Sequence, residues 1–431
     1  MRDSPTARST SAARRLSRRE FFGSTLLASL AGACASRGTV ATTPAGASRA
    51  VAAETLASDE TIYGRLLGVQ PHLPAFDHIT ALGGSRMPDE VIAAMTEANR
   101  HFVDMHELTI AAGKRIADVM HAEAALVSAG SFSAMLLGAA ACLTGTDEEK
   151  MAALPHPTWP RRECVIQAGH RVNYDRAFRA AGMTIVEVET REQFASAVSA
   201  ERTAMIFALA RNEYQRADDP SVMTPAEILE AGQRAGVPAM IDAASEIPPT
   251  ANLTRWTEMG FDLVVISGGK GIRGPQSTGM LAGRADLIEA ARLQATPNAH
   301  IGRGMKVGKE EIVGLITALN RYVALDHEAE HATWARKARY VAAELAGIPG
   351  LIARATLNAK GYEDVDLSWD DSIFPMTVQE LRARLKDGTP RIAMAGSRIA
   401  TRCMANDEER LVAARLREFF LEEAARPAAG A

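Results

Sequence analysis

Asp262-Leu263-Val264-Val265-Ile266-Ser267-Gly268-Gly269-Lys270-Gly271-Ile272-Arg273-Gly274-Pro275-Gln276-Ser277-Thr278-Gly279 decides how this chain is read. Its first five residues end in a continuous apolar run, which is the pattern of a strand buried on both faces. Glycines flank the lysine that follows and allow a tight turn with close approach of a ligand. A lysine in that setting sits at the mouth of a sheet, not in a core. Two other readings of the same stretch fail. Gly269–Gly274 matches G-x-G-x-x-G, but Pro275-Gln276-Ser277-Thr278 and a strand-like Met280-Leu281-Ala282 follow where a dinucleotide fold needs a helix. Ser267–Lys270 matches S-x-x-K, but neither S-D-N nor K-T-G occurs anywhere.

Working outward, strands alternate with helices from residue ~110. Strands are expected at 124–127, 164–166, 185–188, 205–208, 239–242 and 262–266, with helices at 108–120, 133–142 and 225–235, the last carrying Pro225 near its start. This is an α/β pattern with a mostly parallel sheet and helices on both faces. Ligands then bind beyond the carboxyl ends of the strands. After residue ~300 the pattern changes. It predicts a long helix over 312–329, a second over 334–346, strands near 365–368 and 391–394, and helices over 378–385 and 408–423. The expected organisation is therefore a segment 1–50, a large domain 51–300 with an N-terminal arm, and a small α+β domain 301–431.

Charge sets the first segment apart. The chain totals −4, yet residues 1–50 carry eight Arg and two acidic residues, so the remaining 381 residues carry −10. Paired Arg18-Arg19, then Phe21-Phe22 and a short apolar run to Ala35, read as a twin-arginine export signal. Such a signal implies the twin-arginine export machinery as a partner and a periplasmic or outer-face location. Ala31-Gly32-Ala33-Cys34 is a loose lipobox, so Cys34 is either a lipid anchor or a small residue near the cleavage site. Residues 36–58 read as a tether. Cys142, Cys164 and Cys403 form no C-x-x-C pair, so neither a disulfide framework nor a metal site is expected. The acidic body argues against nucleic acid.

Three polar clusters fall at strand ends: Asp242, Ser267–Lys270, and Gly130-Ser131-Phe132-Ser133 at a helix start. A desolvated lysine forms a Schiff base. A carboxylate such as Asp242 keeps a pyridine nitrogen protonated. A helix N-terminus binds phosphate. Together these specify pyridoxal 5′-phosphate, with Lys270 and Asp242 as the catalytic pair.

At Phe76–Met87, Ala124–Asp147, Gly169-His170-Arg171, Asp242–Leu253 and Ser267–Gly279 the chain resembles the selenocysteine synthase-like group of fold-type-I pyridoxal-phosphate enzymes. Within that group it is most similar to D-glucosaminate-6-phosphate ammonia-lyase-like proteins, over residues ~75 to ~325. The resemblance implies a mostly parallel seven-stranded sheet and a homodimer or higher homo-oligomer. It also implies site roles. Lys270 would be the Schiff-base lysine. Ala244 would pack one ring face and Ser245 would lie near the ring hydroxyl. His170 would stack on the other face. Gly130, Ser131 and Phe132 would cup the phosphate, with Ser267 adding a hydroxyl. Arg273 and Gln276, or Arg303 and Lys306, would bind a substrate carboxylate or phosphate. Phe132 is bulkier than the alanine the resemblance leads one to expect.

The expected activity is an ammonia-lyase or dehydratase acting by α,β-elimination on a small anionic substrate, a β-hydroxy amino acid or amino-sugar acid. Racemisation, aldol cleavage, transfer chemistry on the same cofactor and a non-catalytic exported binding protein remain as alternatives.

Overall fold

The computed structural model describes residues 60–426. The paired arginines, the lipobox cysteine and the tether lie outside the described residues.

Strand β1 (Leu73–Ala75) opens the described chain. The central sheet follows with β2 (Ala124–Ser128), β3 (Glu163–Gln167), β4 (Thr184–Val188), β5 (Thr203–Leu209), β6 (Ala239–Asp242), β7 (Leu263–Ser267) and β8 (Gly279–Gly283). Their order is β2-β8-β7-β6-β5-β3-β4. Only β8 runs against its neighbours, so the sheet is mostly parallel and seven-stranded, as expected. Along β5, Ile206 and Ala208 enter one core while Met205 and Phe207 enter the other. β7 does the same with Val264 and Ile266 against Leu263 and Val265. Side chains alternate across a strand, so a run apolar at every position fills helix-covered cores on both faces.

Local chemistry fixes the element ends. Helix Pro225–Ala235 starts at Thr224, whose hydroxyl accepts from the Glu227 N–H while Glu227 answers the Thr224 N–H. It stops at Gly236 in the left-handed conformation. Helix Gly130–Thr144 is apolar or small nearly all round and is buried from Ser133 to Ala141.

The C-terminal part is a smaller α+β subdomain. Strands β9 (Leu351–Leu357), β10 (Glu363–Trp369) and β12 (Arg398–Ile399) form an antiparallel sheet in the order β12-β10-β9, and β11 (Ile392–Met394) pairs in parallel with β1. Its core joins Leu73 and Ala75 of the arm to residues between Ala338 and Phe420.

One helix boundary differs from expectation. The segment predicted as a single helix over 312–329 is Lys309–Ala324, and a new helix runs His327–Leu345. Leu325 is extended, and the Asp326 carboxylate caps the second helix by accepting from the Ala329 N–H at 3.0 Å. The first of these helices packs Ile312, Leu315 and Ala318 into the core of the central sheet.

Candidate active site

Neighbouring strand ends meet at one edge of the central sheet. β5, β6 and β7 lie side by side and end at Leu209, Asp242 and Ser267. β2 ends at Ser128 and leads directly into helix Gly130–Thr144. β8 joins the two halves, because Gly279 is paired with both Ser128 and Ser267. A Cβ on Gly279 would stand 2.5 Å from the Gly130 carbonyl carbon, so only glycine lets the turn at Gly130 (φ +79°) pack this tightly on the sheet.

A cavity of about 250 Å³ opens there. Gly130, Ser131 and Phe132 form one wall, and Asp242, Ser267 and Lys270 face them. No side chain caps the helix N-terminus at Ala129, so its first N–H groups are available to an anion. Ala244, Ser245 and Gln276 also border this space.

The two ionisable groups here are perturbed in opposite senses. Burial pushes the Asp242 carboxyl up, against the Ala244 N–H bond (2.9 Å) and the nearby Lys270 charge. Burial pulls the Lys270 ammonium down, against Asp242 and Glu246. A lysine shifted that way reaches the neutral, nucleophilic form more readily. The Asp242 bond to Ala244 occupies only Oδ1. Its second oxygen is free for a protonated ring nitrogen. A pyridine ring, a phosphate and an aldehyde therefore find an acid partner, an N–H cup and a lysine in one chamber.

A second cavity of about 610 Å³ adjoins the first and shares Thr80, Tyr174, Arg211, Ser245 and Lys270 with it. Its far wall comes from the arm and the C-terminal subdomain: Asp77, His78, Asn358, Lys360, Tyr362 and Arg402. Most of its charges are paired. Arg402 bridges Asp77 at 3.1 Å and Asp364 at 2.7 Å. Lys360 lies 3.7 Å from Glu246, which also accepts from the Tyr214 hydroxyl at 3.3 Å. Arg211 differs: among the described residues its guanidinium has no ion pair or hydrogen bond, although it borders both cavities. An unpaired, half-buried arginine is a site for an anion.

The structure corrects several expected roles. His170 does not line either cavity. Its ring is buried, one nitrogen 2.7 Å from the Met223 carbonyl and the other accepting from the Leu209 N–H at 2.9 Å. That double tie makes it a brace between the loop after β3 and the end of β5, and its fully buried ring presents no surface to either cavity. Val172 and Tyr174, just beyond it, line the first cavity instead. Arg273 turns away, pairing with Glu330 at 3.3 Å and donating to the Arg402 carbonyl at 3.0 Å. Arg303 and Lys306 are exposed and line neither cavity. Of the four proposed substrate-binding residues, only Gln276 borders the cavity, its amide donating to Thr80 at 3.1 Å. Arg211 was missed. It follows the apolar run of β5 by two residues, a position where a strand-end polar group is worth testing.

Comparison with known proteins shows the family. The family model for SelA, L-seryl-tRNA selenium transferase, matches residues 78–346. The 5′-C-glycyluridine monooxygenase-decarboxylase of a Streptomyces species is 33% identical over 380 residues, covering 84% of this chain and 92% of that protein. The D-glucosaminate-6-phosphate ammonia lyase of Salmonella typhimurium is 28% identical over 372 residues, covering 82% and 96%. A solved structure of D-glucosaminate-6-phosphate ammonia-lyase superposes with a TM-score of 0.73 at 27% identity, covering 84% of this chain and 99% of that one. With a family model spanning more than half its length, the chain belongs to the L-seryl-tRNA selenium transferase family of fold-type-I pyridoxal-phosphate enzymes.

Proposed function

We propose that the protein is a pyridoxal-phosphate-dependent ammonia-lyase or dehydratase that eliminates water from a small anionic β-hydroxy amino acid or amino-sugar acid. The observation that carries this reading is the meeting of Lys270, Asp242 and the unpaired Arg211 around adjoining cavities. Bound pyridoxal phosphate supplies an electron sink for the charge left when the α-proton departs. The chain's residues do the rest. The N–H groups of Gly130, Ser131 and Phe132 and the Ser267 hydroxyl hold the phosphate. Asp242 holds the proton on the ring nitrogen, and Ala244 and Ser245 border the ring. Lys270 holds the cofactor until substrate arrives, then takes the α-proton as a base. Its burial-lowered pKa suits that task. Arg211 holds the substrate carboxylate.

Purified protein mixed with pyridoxal phosphate should show a visible absorbance band that Lys270→Ala lacks, and should release ammonia from β-hydroxy amino acids or amino-sugar acids. A wild type without the band rules out the cofactor. A band without ammonia across a broad panel rules out the lyase.

The 33% identity to a monooxygenase-decarboxylase supports a second reading, oxidative decarboxylation of a larger amino acid accommodated by the roomier second cavity. Oxygen uptake with carbon dioxide release would select it. Transfer to a tRNA is disfavoured, because the body carries −10 and phosphate contacts need a basic face. Exposed Ile62, Leu66, Leu67 and Phe102 support assembly as a homodimer. The N-terminal sequence supports work outside the cytoplasm after twin-arginine export.

A further inference from the structure

We propose that Lys360 binds a second acidic group at the far end of the substrate, so that the preferred substrate is a β-hydroxy amino acid whose side chain ends in a carboxylate or a phosphate. The inference rests on the lyase reading and narrows its substrate class.

A substrate held by Arg211 at the seam and deprotonated by Lys270 has the second, larger cavity for its side chain. The lining there carries Arg211, Lys270, Lys360 and Arg402 against one carboxylate, Asp77. Three of these cations are already committed. Lys270 serves the cofactor and the α-proton, and Arg211 the α-carboxylate. The Arg402 side chain is only 4% accessible and is held by Asp77 and Asp364. Asp77 is matched in turn by Arg402 and by the His78 ring at 2.5 Å. Lys360 is left.

Its ammonium can reach a ligand. The side chain is 19% accessible and lines the cavity. One of its three N–H donors goes to the Ser245 carbonyl. Glu246 is near, but 3.7 Å is beyond hydrogen-bond reach. Oε1 of Glu246 already accepts from the Ser245 and Tyr214 hydroxyls, at 3.0 and 3.3 Å. Among the described residues the other two Lys360 donors therefore lack a hydrogen-bonded acceptor. An ammonium so placed gains most from a charged oxygen.

Lys360 is also held in place. It sits at the tip of the β9–β10 hairpin, where Oδ1 of Asn358 accepts from the Lys360 and Tyr362 N–H groups at 2.9 and 3.2 Å. Nδ2 of Asn358 donates at 2.9 Å to Asp364, the carboxylate that grips Arg402. Gly361, with φ +81°, closes the turn. A tip fixed this way loses little conformational freedom when its one accessible cation meets a ligand.

The test varies the tail on one head group. Threonine, 3-hydroxyglutamate and 4-(phosphonooxy)threonine, in all stereoisomers, carry a methyl, a carboxylate and a phosphate beyond the β-hydroxyl. Each is given to wild type, Lys360→Gln and Lys360→Arg, all first checked for the cofactor absorbance band. Wild-type KM for an acid-tailed substrate should lie about 10- to 100-fold below that for threonine, the size of one charge-assisted contact. The acid with the lower KM identifies the tail. Lys360→Gln should bring that ratio close to 1 while kcat with the acid-tailed substrate moves less than about 3-fold, and Lys360→Arg should keep most of the ratio. A wild type that treats the three alike, or a Lys360→Gln protein that keeps the preference, overturns the inference and leaves the lyase reading standing. If the band is present but no ammonia is released, the lyase reading falls. The same three compounds are then titrated against the band: a preference for an acid tail that Lys360→Gln erases upholds the Lys360 contact, and equal titrations end it.

Discussion

The two adjoining cavities are built in contrasting ways. The first is walled by strand ends and one helix N-terminus of the central sheet, and its key residues sit in short runs such as Gly130–Phe132 and Ser267–Lys270. The second takes Asp77 and His78 from the arm and Lys360, Tyr362 and Arg402 from the C-terminal subdomain. Its side chains are locked by ion pairs across more than three hundred residues of sequence, as Arg402 to Asp77 shows. A chamber made of backbone turns and contiguous motifs suits an invariant ligand. A chamber made of distant side chains can change its lining without disturbing the sheet, which suits recognition of one substrate among many.

That contrast can be broken most severely at Lys270. Lys270→Ala should abolish both the visible cofactor band and ammonia release; a variant that keeps the band would divorce the first cavity from the cofactor. The next largest effect is expected at the seam. Arg211→Met removes an unpaired guanidinium that borders both cavities. It should raise KM about 100-fold, the loss of a doubly hydrogen-bonded charged contact, while leaving the cofactor band intact. A lost band instead would assign Arg211 to the cofactor.

His170 sharpens the first cavity by separating scaffold from ligand contact. Burial, with a smaller contribution from Arg216, depresses its pKa to about 4, although the Met223 carbonyl bond opposes the shift. Its folded pKa is thus below the unfolded ~6.5. The unfolded state takes up the proton first, so stability present above ~6.5 is lost as pH falls towards about 4, by roughly 3 kcal/mol at most. His170→Gln should lower Tm and flatten that acid dependence while retaining the cofactor band. Unchanged Tm with a weakened band would restore the stacking role. The smallest effect is expected from Arg303→Ser with Lys306→Ser, which line neither cavity: KM should move less than about 2-fold. A larger change would mean that a second protomer brings this loop to the site.

The same contrast explains what could be read in advance. Continuous apolar runs located β3, β5, β6 and β7, because a strand buried on both faces has no polar positions to blur it. The Asp242 and Ser267–Lys270 clusters followed from where those runs end. Strand β9 was not legible, since only Leu351 of its seven residues is buried and the rest are partly or fully exposed. The break at Leu325 had a readable signal in Asp326, an N-cap followed by acidic first-turn residues, hidden by the helical periodicity on either side. Asp77 and His78 fall within the resembling stretch Phe76–Met87, but neither they nor Arg402 carried a local signal of a role. Their meaning lies in which strand pairs with which, and β1 with β11 is a pairing between the two ends of the described chain.

That pairing sets a boundary for anyone trimming the protein. A cut placed ahead of Glu60 leaves every described element whole. A cut only some fifteen residues further on takes away a strand whose Leu73 and Ala75 fill the core under Val341, Leu381 and Phe420. The damage would surface at the opposite terminus, as a loosened C-terminal subdomain and a second cavity stripped of part of its wall. Thermal unfolding of chains begun at Glu60 and at Phe76 would measure how much of the far end can still fold.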